Sequence, residues 1–375
     1  MTRVLVTGGA GFIGSHLVDH LVDGGYDVAV LDNLSNQVHN NEPHYLNGDA
    51  DYTWGDVRDR ELVADLLAEA DVLSHQASVV GVGQSMYEIE HYVDVNTLAT
   101  ARLLDIIVNE DIALDKIVVA SSMSIYGEGQ YFCPDCETQR TPSIRNQSQL
   151  IQNEWEHSCE TCRSALEPQP TPESKSREST SVYAITKKDQ EELILSVARA
   201  YGIPAVALRY FNVYGSRQSL ENPYTGVCAI FSSRIKNGNP PLIFEDGEQT
   251  RDFVHVSDVA RANRLAIERD AARDVAINVG TGVPTTIHDI AETLIELYGK
   301  SEELQPEIAT DFRQGDIRHC YSDTVRAQDL LGFVPAVDFA DGMRELVKWG
   351  RDQEADDRFE EAHAELEDRG LIGDS

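Results

Sequence analysis

The sequence predicts an α/β fold in which a doubly wound parallel sheet is covered by helices on both faces and is joined to a smaller second lobe. Two observations lead to this prediction. Short runs of β-branched and aliphatic residues alternate with segments of helical periodicity along most of the chain, which is the pattern of consecutive βαβ units. The 375 residues, of which 41% are hydrophobic, are enough for one large α/β unit with an additional lobe.

The first βαβ unit opens the chain. RVLVTGG, residues 3–9, is a short β-rich run that ends in glycines, and FIGSHLVDHLVDGG then has apolar residues at helical spacing before a Gly-Gly stop. YDVAVLDN, residues 26–33, is a second apolar run that ends in an acid. The order strand, helix, strand predicts two neighbouring parallel strands.

Four later runs continue the alternation. DVLSHQAS, KIVVASS, IPAVALRYFNVYG and DVAINVGTG read as strands, and helical stretches such as 96–110 and 183–201 separate them. Apolar strands of this kind are expected in a parallel sheet that is buried on both faces.

Two segments depart from the pattern. Residues 128–178 are polar, contain two Cys-x-x-Cys pairs and several prolines, and read as an insertion between a strand and a helix. The stretch RDQEADDRFEEAHAELE, around residues 350–366, reads as an exposed helix with a solvated face rather than a site. The predicted division is a dinucleotide-binding domain at 1–127 and 179–215, an inserted cysteine knuckle at 128–178, a mainly substrate-binding lobe at 216–350 and an acidic helix or tail at 351–375.

Net charge excludes several classes of partner. With 31 basic and 64 acidic residues the formal charge is −33, so neither nucleic acid nor an anionic membrane is an expected partner. No apolar run approaches the length that crosses a bilayer, and glycines interrupt the N-terminus where a signal peptide needs an apolar core. We therefore expect a cytoplasmic protein.

The same charge leads to a hypothesis about salt. Self-repulsion on this scale destabilises a compact fold unless counterions screen it. We take the chain to be adapted to a high-salt cytoplasm, the alternative being an acidic protein from ordinary conditions.

The glycine-rich turn TGGAGFIG predicts a dinucleotide site. Gly8, Gly11 and Gly14 allow a tight turn, close approach of the backbone to a pyrophosphate and close helix–strand packing. Asp32 ends the next strand, where a carboxylate binds the adenosine ribose hydroxyls and repels the extra phosphate of NADP. NAD is therefore the expected cofactor, and the alternative is an ordinary glycine turn beside a surface acid.

Further candidate cofactor contacts lie on the same turns and strand ends. Asp56 in WGDVRD follows another strand and is placed to meet the adenine, although a turn or cap aspartate reads equally well on the pattern alone. The full additional set is Phe12, Ile13, Asn33, Asp56, Val57, Gln76 and Ala77.

SVYAITKK and KIVVASS contain the candidate catalytic residues. Tyr183 and Lys187 are four residues apart on a predicted helix and share one face. A lysine cation near the phenol favours the phenolate and lowers the tyrosine pKa. Ser122, at the end of a strand, is placed to hydrogen-bond the same substrate hydroxyl. Tyrosine and lysine at this spacing also occur by chance in many helices.

With these residues the chain resembles the extended short-chain dehydrogenase/reductases, the NAD-dependent nucleotide-sugar epimerases and dehydratases. The resemblance runs from residue 1 to about 350 and includes RYFNVYGSRQ, RDFVHVSDVA, INVGTG and FRQGDIRH. It implies a Rossmann domain, a C-terminal lobe for the nucleotide sugar, tightly held NAD, contacts of Tyr183 and Lys187 with that cofactor, and a homodimer formed through helices near 96–110 and 183–200. Carried over by position, Asn212 contacts substrate near the nicotinamide, Arg251 and Arg313 hold the pyrophosphate, and Asp316 helps to place ribose.

The stretch SMSIYG bears on the reaction. In the 4,6-dehydratases of the family an Asp-Glu pair follows the serine or threonine, whereas here Met123 and Ser124 occupy those positions. The 4-epimerases need no such pair, because one phenol and one bound nicotinamide suffice for oxidation at C4 and hydride return. Wider stretches resemble the subgroup that contains dTDP-L-rhamnose 4-epimerases, which make dTDP-6-deoxy-L-talose. Alternatives are a UDP-glucose/galactose-type 4-epimerase, a 4-ketosugar reductase and a non-catalytic NAD-binding protein.

The paired cysteines predict a metal site within the insertion. Cys133, Cys136, Cys159 and Cys162 suit a tetrahedral thiolate site, for which zinc is the expected metal. Four thiolates leave no position for a catalytic water, so the site is predicted to be structural and to serve as a lid or interface piece. A redox pair and unligated thiols remain alternatives, and His157 is a spare ligand candidate. The unpaired Cys228 and Cys320 read as buried core residues.

Overall fold

The computed structural model describes residues 1–39, 42–309 and 311–373. Its strands are β1 (Arg3–Thr7), β2 (Asp27–Asp32), β3 (Asp51–Trp54), β4 (Val72–His75), β5 (Lys116–Ser122), β6 (Gln130–Cys133), β7 (Thr138–Arg140), β8 (Glu167–Gln169), β9 (Ala205–Tyr210), β10 (Asn212–Tyr214), β11 (Leu242–Phe244), β12 (Thr250–His255), β13 (Val275–Val279), β14 (Pro284–Thr286), β15 (Glu307–Ala309), β16 (Phe312–Arg313), β17 (His319–Cys320) and β18 (Ile372–Gly373).

Helices alternate with the strands of the N-terminal half, as predicted. They are α1 (Phe12–Asp23), α2 (Arg60–Ala68), α3 (Ile89–Tyr92), α4 (Ala99–Asn109), α5 (Gln147–Ile151), α6 (Val182–Tyr201), α7 (Val227–Lys236), α8 (Val256–Glu268), α9 (Ile287–Tyr298), α10 (Val325–Leu331), α11 (Phe339–Arg351) and α12 (Phe359–Asp368). A π-helical segment, Val93–Leu98, joins α3 to α4. No helix in the described ranges is long and apolar enough to cross a membrane.

Seven parallel strands form the central sheet, which confirms the predicted fold class. Their order is β13-β9-β5-β4-β1-β2-β3, and every neighbouring pair is parallel. The chain moves outward from β1 in both directions, so β1 and β4 flank the point where the strand order reverses. In open α/β sheets ligands bind outside the carboxyl ends of the strands at this point.

Apolar side chains cover both faces of the sheet. One face packs against α2, α4 and α6 through residues such as Leu67, Leu103 and Ile194. The other packs against α1 and α8, where Leu17 and Ala260 are fully buried. Burial on both faces explains why these strands are apolar throughout rather than alternating.

A second core holds the C-terminal lobe together. It combines α7, α9 and α11 with β12 and includes Phe231, Phe253, Leu294 and Leu346. The strand β12 pairs with β10, β14 and β17. The predicted strand IPAVALRYFNVYG is split between the two lobes, since β9 belongs to the central sheet and β10 to this smaller one.

Residues between β5 and α6 form more than a loop. The antiparallel strands β6, β7 and β8 pair in the order β7-β6-β8, and a small buried cluster of Tyr131, Cys133, Cys159 and Leu166 lies beside them. We refer to residues 128–178 as the insertion.

The C-terminal segment differs from its prediction. The expected exposed helix around 350–366 is instead the end of α11 followed by α12, and Phe359, Ala362 and Leu366 of α12 are buried. These residues form an apolar stripe beneath the acidic face, and β18 then pairs with β16. The prediction of a solvated helix was wrong because it gave the many acidic residues more weight than the helical spacing of Phe359, Ala362 and Leu366. Residues 374 and 375 of the predicted tail lie outside the described residues.

Candidate active site

A cavity of about 640 Å³ opens at the carboxyl ends of the central strands. It runs from the turn after β1, past the ends of β2, β4 and β5, to residues of the C-terminal lobe. Of the predicted residues, those that line it are Gly8, Gly11, Phe12, Ile13, Gly14, Asp32, Asn33, Val57, Gln76, Ala77, Ser122, Tyr183, Lys187, Asn212, Arg313 and Asp316. Asp56 and Arg251 are not among the lining residues.

The glycine turn leaves room for a dinucleotide pyrophosphate. Gly8 has φ +72°, and a Cβ on it would lie 2.8 Å from the backbone of Ala77. A Cβ on Gly14 would lie 2.0 Å from the carbonyl oxygen of Gly8. The turn ends at Gly11, the N-cap of α1, so the helix N-terminus faces the cavity without a side chain in the way. Backbone N–H groups at a helix N-terminus favour an anion.

Asp32 is held rigidly at the end of β2. Its carboxylate accepts hydrogen bonds from the N–H groups of Ala10 (3.0 Å) and Leu34 (2.9 Å), and the residue is 8% exposed. A fixed carboxylate here fits the ribose hydroxyls of NAD and disfavours a phosphate at the same position by charge repulsion. The glycine turn and Asp32 together fit NAD.

Asp56 contacts neighbouring side chains and does not line the cavity. It accepts hydrogen bonds from Asn33 (3.0 Å) and from Arg58, and the Arg58 guanidinium is the main cause that lowers the pKa of Asp56 to about 2. Arg58 also pairs with Asp94. Two carboxylates therefore neutralise the cation that lies at the adenosine end of the cavity.

The catalytic candidates meet where β5 ends and α6 begins. Ser181 caps α6 by accepting the N–H of Ala184, and the N–H of Tyr183 donates to Ser85 Oγ at 3.0 Å. These contacts fix the first turn of the helix that carries Tyr183 and Lys187. Ser122 accepts the N–H of Ser124 at 3.2 Å and its hydroxyl at 2.9 Å, and its side chain lies near enough to the Tyr183 phenol to affect the pKa of that phenol.

The ionisation of the pair differs from the expectation. Burial raises the pKa of Tyr183, and the neighbouring Ser122 hydroxyl opposes that shift. Burial also lowers the pKa of Lys187 to about 7, against the charge of Glu191. Lys187 is 3% exposed and donates to Gln190 Oε1 at 2.7 Å. A lysine that is only partly charged at neutral pH cannot lower the phenol pKa as strongly as the sequence reading assumed.

A buried polar network next to Lys187 was not predicted from the sequence. The amide nitrogen of Gln190 lies 3.0 Å from Thr100 Oγ1 and 3.2 Å from His75 Nε2. Burial lowers the pKa of His75 to about 3, so this ring is neutral and acts as a hydrogen-bonding spacer. Gln190 follows Lys187 by one helical turn, and that spacing was the available signal.

The predicted substrate residues divide into two groups. Asn212, Arg313 and Asp316 line the cavity, and the buried atoms Asn212 Oδ1 and Arg313 Nε have no hydrogen-bond partner within the described part of the chain. Arg251 instead donates to the carbonyl oxygens of Ile317 (2.7 Å) and Arg318 (2.9 Å) and to the Asp316 carboxylate (3.0 Å). The structure thus places Arg251 behind the cavity wall, and its phosphate contact stays a prediction.

Carboxylates are scarce along the cavity wall. Among the described lining residues they are Asp32 and Asp316. The turn after β5 contributes Ser122, Met123 and Ser124, and Met123 packs with Tyr126, Phe211 and Ile317. The site next to Tyr183 therefore offers a phenol, a lysine and hydroxyls, with no acid on that turn.

Other parts of the wall were not predicted. The segment 218–227 contributes polar and apolar residues, and α12 contributes Phe359, His363 and Leu366. No site role was predicted for these residues, and the acidic composition of the C-terminus hid the apolar stripe.

The four predicted metal ligands lie together. Their Sγ atoms all lie within 4.8 Å of one another, with 3.4 Å between Cys133 and Cys162 and 3.9 Å between Cys136 and Cys159. A tetrahedron with zinc–sulfur bonds of about 2.3 Å has edges of about 3.8 Å. The donor set and its spacing fit a closed site of four thiolates. His157 points elsewhere, because its Nε2 lies 3.1 Å from the Glu128 carboxylate.

A model of the NAD dependent epimerase/dehydratase family matches residues 4–149 and 158–280. The chain is 35% identical to a dTDP-L-rhamnose 4-epimerase of Burkholderia thailandensis over 355 residues, which cover 92% of this chain and 94% of that one. It is 34% identical to a putative UDP-glucose 4-epimerase of Methanocaldococcus jannaschii, covering 92% and 97%.

Solved structures of 4-epimerases also resemble the chain over most of its length. A UDP-glucose 4-epimerase of Thermotoga maritima in complex with UDP-glucose superposes with a TM-score of 0.75 at 31% identity, covering 93% of this chain and 99% of that one. A UDP-glucose 4-epimerase of Thermus thermophilus in complex with NAD superposes with a TM-score of 0.72 at 30% identity, covering 94% and 100%.

Proposed function

We propose, from the premise that the chain belongs to the NAD dependent epimerase/dehydratase family, that it inverts C4 of dTDP-L-rhamnose to give dTDP-6-deoxy-L-talose. The coarser statement, an NAD-dependent nucleotide-sugar epimerase, follows from the family match and from relatives named as 4-epimerases. The identity of the sugar is what we propose beyond this coarser statement.

One observation carries the choice of reaction. Tyr183, Ser122 and Lys187 line the cavity together, and the turn after β5 presents no carboxylate beside them. Elimination of water from a sugar needs an additional acid and base close to the oxidised centre. Inversion at C4 needs one group that exchanges a proton with the C4 hydroxyl, and Tyr183 supplies it.

The roles of the other residues follow from their contacts. Ser122 lies beside the phenol and is placed to hydrogen-bond the same substrate hydroxyl, while Lys187 adds partial positive charge near them. The glycine turn and Asp32 would hold NAD, which supplies the acceptor and donor for the C4 hydride. Arg313, with an unpartnered buried Nε, suits a phosphate of the nucleotide sugar.

The proposed sugar rests on the Burkholderia thailandensis relative. The main competitor is UDP-glucose, which the Methanocaldococcus jannaschii and Thermotoga maritima proteins favour. A 4-ketosugar reductase would consume reduced nicotinamide instead of regenerating it, and a non-catalytic NAD-binding protein would leave both sugars unchanged.

NMR of the two sugars in D2O tests the proposal. The purified protein in concentrated KCl is incubated with dTDP-L-rhamnose and, in parallel, with UDP-glucose. We expect the C4 epimer of dTDP-L-rhamnose with no deuterium incorporated. Conversion of UDP-glucose alone would replace the sugar and keep the reaction, whereas deuterium at C5 or loss of water would overturn the reaction.

Structural zinc at the four cysteines is a further part of the proposal. The insertion has a small core, so metal binding would contribute folding free energy. We expect about one zinc per chain in protein purified without chelator, and a Cys133→Ser variant with less zinc and a lower melting temperature. Zinc-free protein that melts at the same temperature as zinc-bound protein would refute this role.

The predicted homodimer has a candidate surface. Exposed apolar side chains on the helices predicted to pair include Leu98 and Ile185, and Ile89 and Val93 are exposed just before the first of these helices. An exposed apolar patch on adjacent helices favours association. Light scattering that gives twice the 41.6 kDa chain mass would support this state, and a single chain mass would refute it. The domain boundaries and the cytoplasmic location also stay predictions.

A further inference from the structure

The insertion contacts a segment of the C-terminal lobe that lies far from it in sequence. Gly129 N–H donates to the carbonyl oxygen of His319 at 2.9 Å, and Thr171 N–H donates to that of Tyr321 at 2.8 Å. The Glu128 carboxylate accepts the N–H of Arg318 at 2.8 Å. The insertion thus forms hydrogen bonds along the backbone of residues 318–321.

The residues just before this segment form the 313–316 turn, which we define as Arg313, Gln314, Gly315 and Asp316. All four residues line the cavity, and Gly315 has φ +85°. Residues of the C-terminal lobe hold one side of the turn, since Arg251 donates to the Asp316 carboxylate at 3.0 Å and the Arg313 guanidinium lies 4.4 Å from the centre of the Phe244 ring.

Arg145 of the insertion contacts this turn directly. Its Nη2 donates to the carbonyl oxygen of Asp316 at 3.3 Å and to Glu245 Oε1 at 2.8 Å, and its Nη1 donates to Glu245 Oε2 at 2.7 Å. The Arg145 side chain is 1% exposed. The planar, doubly hydrogen-bonded pair has a fixed geometry, which a single flexible contact lacks.

Apolar packing supports the other end of the turn. Phe312, which is fully buried, packs with Leu150 and Trp155 of the insertion. The carbonyl oxygen of Trp155 also accepts a hydrogen bond from Arg145 at 3.2 Å. Arg145 and Trp155 therefore hold the turn at both sides as one unit.

The charges around Arg145 are paired. Arg318, with a side chain that is 1% exposed, pairs with Glu245, Glu156 and Asp246. Burial opposes ionisation of Glu128, but His157, whose Nε2 lies 3.1 Å from the carboxylate, and the charge of Arg145 lower its pKa below the ordinary value. A paired buried network has one preferred arrangement and resists displacement of its members.

We propose that Arg145 is a positioning residue through which the insertion holds the 313–316 turn in the geometry that binds the diphosphate of the nucleotide sugar. This inference rests on the proposed function, because it concerns the substrate end of the same cavity. Without Arg145 the turn keeps its contact with Arg251 but loses the guanidinium that contacts it from the insertion, so affinity for the nucleotide part falls while the chemistry at Tyr183 continues.

An Arg145→Met variant of the full, NAD-bound protein tests the proposal. Glu245 keeps its ion pair with Arg318 at 3.1 Å, so this variant does not leave that carboxylate unpaired. We expect roughly tenfold weaker binding of dTDP or UDP, whichever the wild type binds, and a matching rise in KM; this factor corresponds to about 1.4 kcal/mol of binding free energy. We expect kcat within about twofold and unchanged NAD content, because the reacting groups are untouched.

Control variants separate positioning from general stability. Arg3→Met removes a guanidinium that donates to Asp27 at 2.7 Å on the central sheet, and it should leave KM unchanged. Arg145→Lys keeps the charge without the paired hydrogen bonds and should restore part of the affinity. If Arg145→Met does not fold, Trp155→Leu, which weakens packing on Phe312, carries the same expectation. Hydrogen exchange of residues 312–322 should rise in the affected variants and not in Arg3→Met.

The outcomes are distinct. Folded Arg145→Met protein with wild-type nucleotide affinity, or with kcat and NAD content reduced as much as the affinity, overturns the positioning role alone. Wild-type protein that binds neither dTDP nor UDP overturns the proposed function, and this inference fails with it.

Discussion

The substitution Tyr183→Phe tests the catalytic role of the phenol separately from the roles of the other residues of the site. It removes one oxygen and keeps the ring that lines the cavity. Ser122 Oγ retains its contacts with the N–H and hydroxyl of Ser124 at 3.2 and 2.9 Å, so no buried hydroxyl loses all its partners. We therefore expect a change in the free energy of unfolding of no more than about 1 kcal/mol.

The expected effect on turnover is much larger. A positioned acid or base contributes about 10²- to 10⁴-fold, or about 3–5 kcal/mol of transition-state stabilisation. Formation of the C4 epimer is followed by NMR, with NAD content and melting temperature measured on the same sample. Tyr201→Phe at the exposed end of the same helix, where the side chain is 61% exposed, is the matched control. A Tyr183→Phe enzyme as active as the wild type would refute the assigned role and revive the non-catalytic alternative.

Three further predictions concern the cofactor, the lysine and the salt. Gly14→Ala, whose Cβ would lie 2.0 Å from the Gly8 carbonyl oxygen, should yield folded protein without bound NAD, and full NAD content would contradict the fit of the glycine turn. Lys187→Met should stabilise NAD-free protein near pH 7 by at most about 5 kcal/mol, because a lysine whose pKa falls from 10.5 to about 7 on folding opposes folding below pH 10.5. This gain in stability should shrink as the pH rises from 7 to 10.5. A difference in unfolding free energy that does not depend on pH would contradict the prediction. Lowering the KCl concentration from about 1 M to about 0.1 M lengthens the screening distance from about 3 to about 10 Å. A chain with net charge −33 should therefore melt at a lower temperature in the dilute salt. An unchanged melting temperature in ligand-free protein would refute the salt-adaptation hypothesis.

The central sheet and the cofactor end of the cavity were predictable because their signals are local. A glycine turn between a strand and a helix, followed by Asp32 one strand later, specifies backbone geometry directly. Tyr183 and Lys187 were found for a similar reason, since four residues on a helix place them on one face. The pattern could not predict their ionisation, because the pKa of Lys187 depends on burial and on the charge of Glu191, and only the packed structure reveals both.

Long-range contacts account for the parts that the sequence did not reveal. Arg251 carries the expected motif, yet carbonyl oxygens of residues 317 and 318 engage its guanidinium. The apolar stripe of α12 was hidden among acids. The pairing of Arg145 with Glu245 joins residues 100 positions apart, and no local pattern marks such a pair.

The most direct test of the central claim follows deuterium placed at C4 of the nucleotide sugar. The protein with its own bound NAD is incubated in ordinary water, without added cofactor, with dTDP-L-rhamnose labelled at C4 and with UDP-glucose labelled likewise. Because the hydride is held within one cavity and returned to the same carbon, we expect the epimer of at least one sugar to retain the deuterium at C4. An epimer that has lost the label, or turnover that depends on added reduced nicotinamide, would contradict a 4-epimerase that acts by internal hydride return.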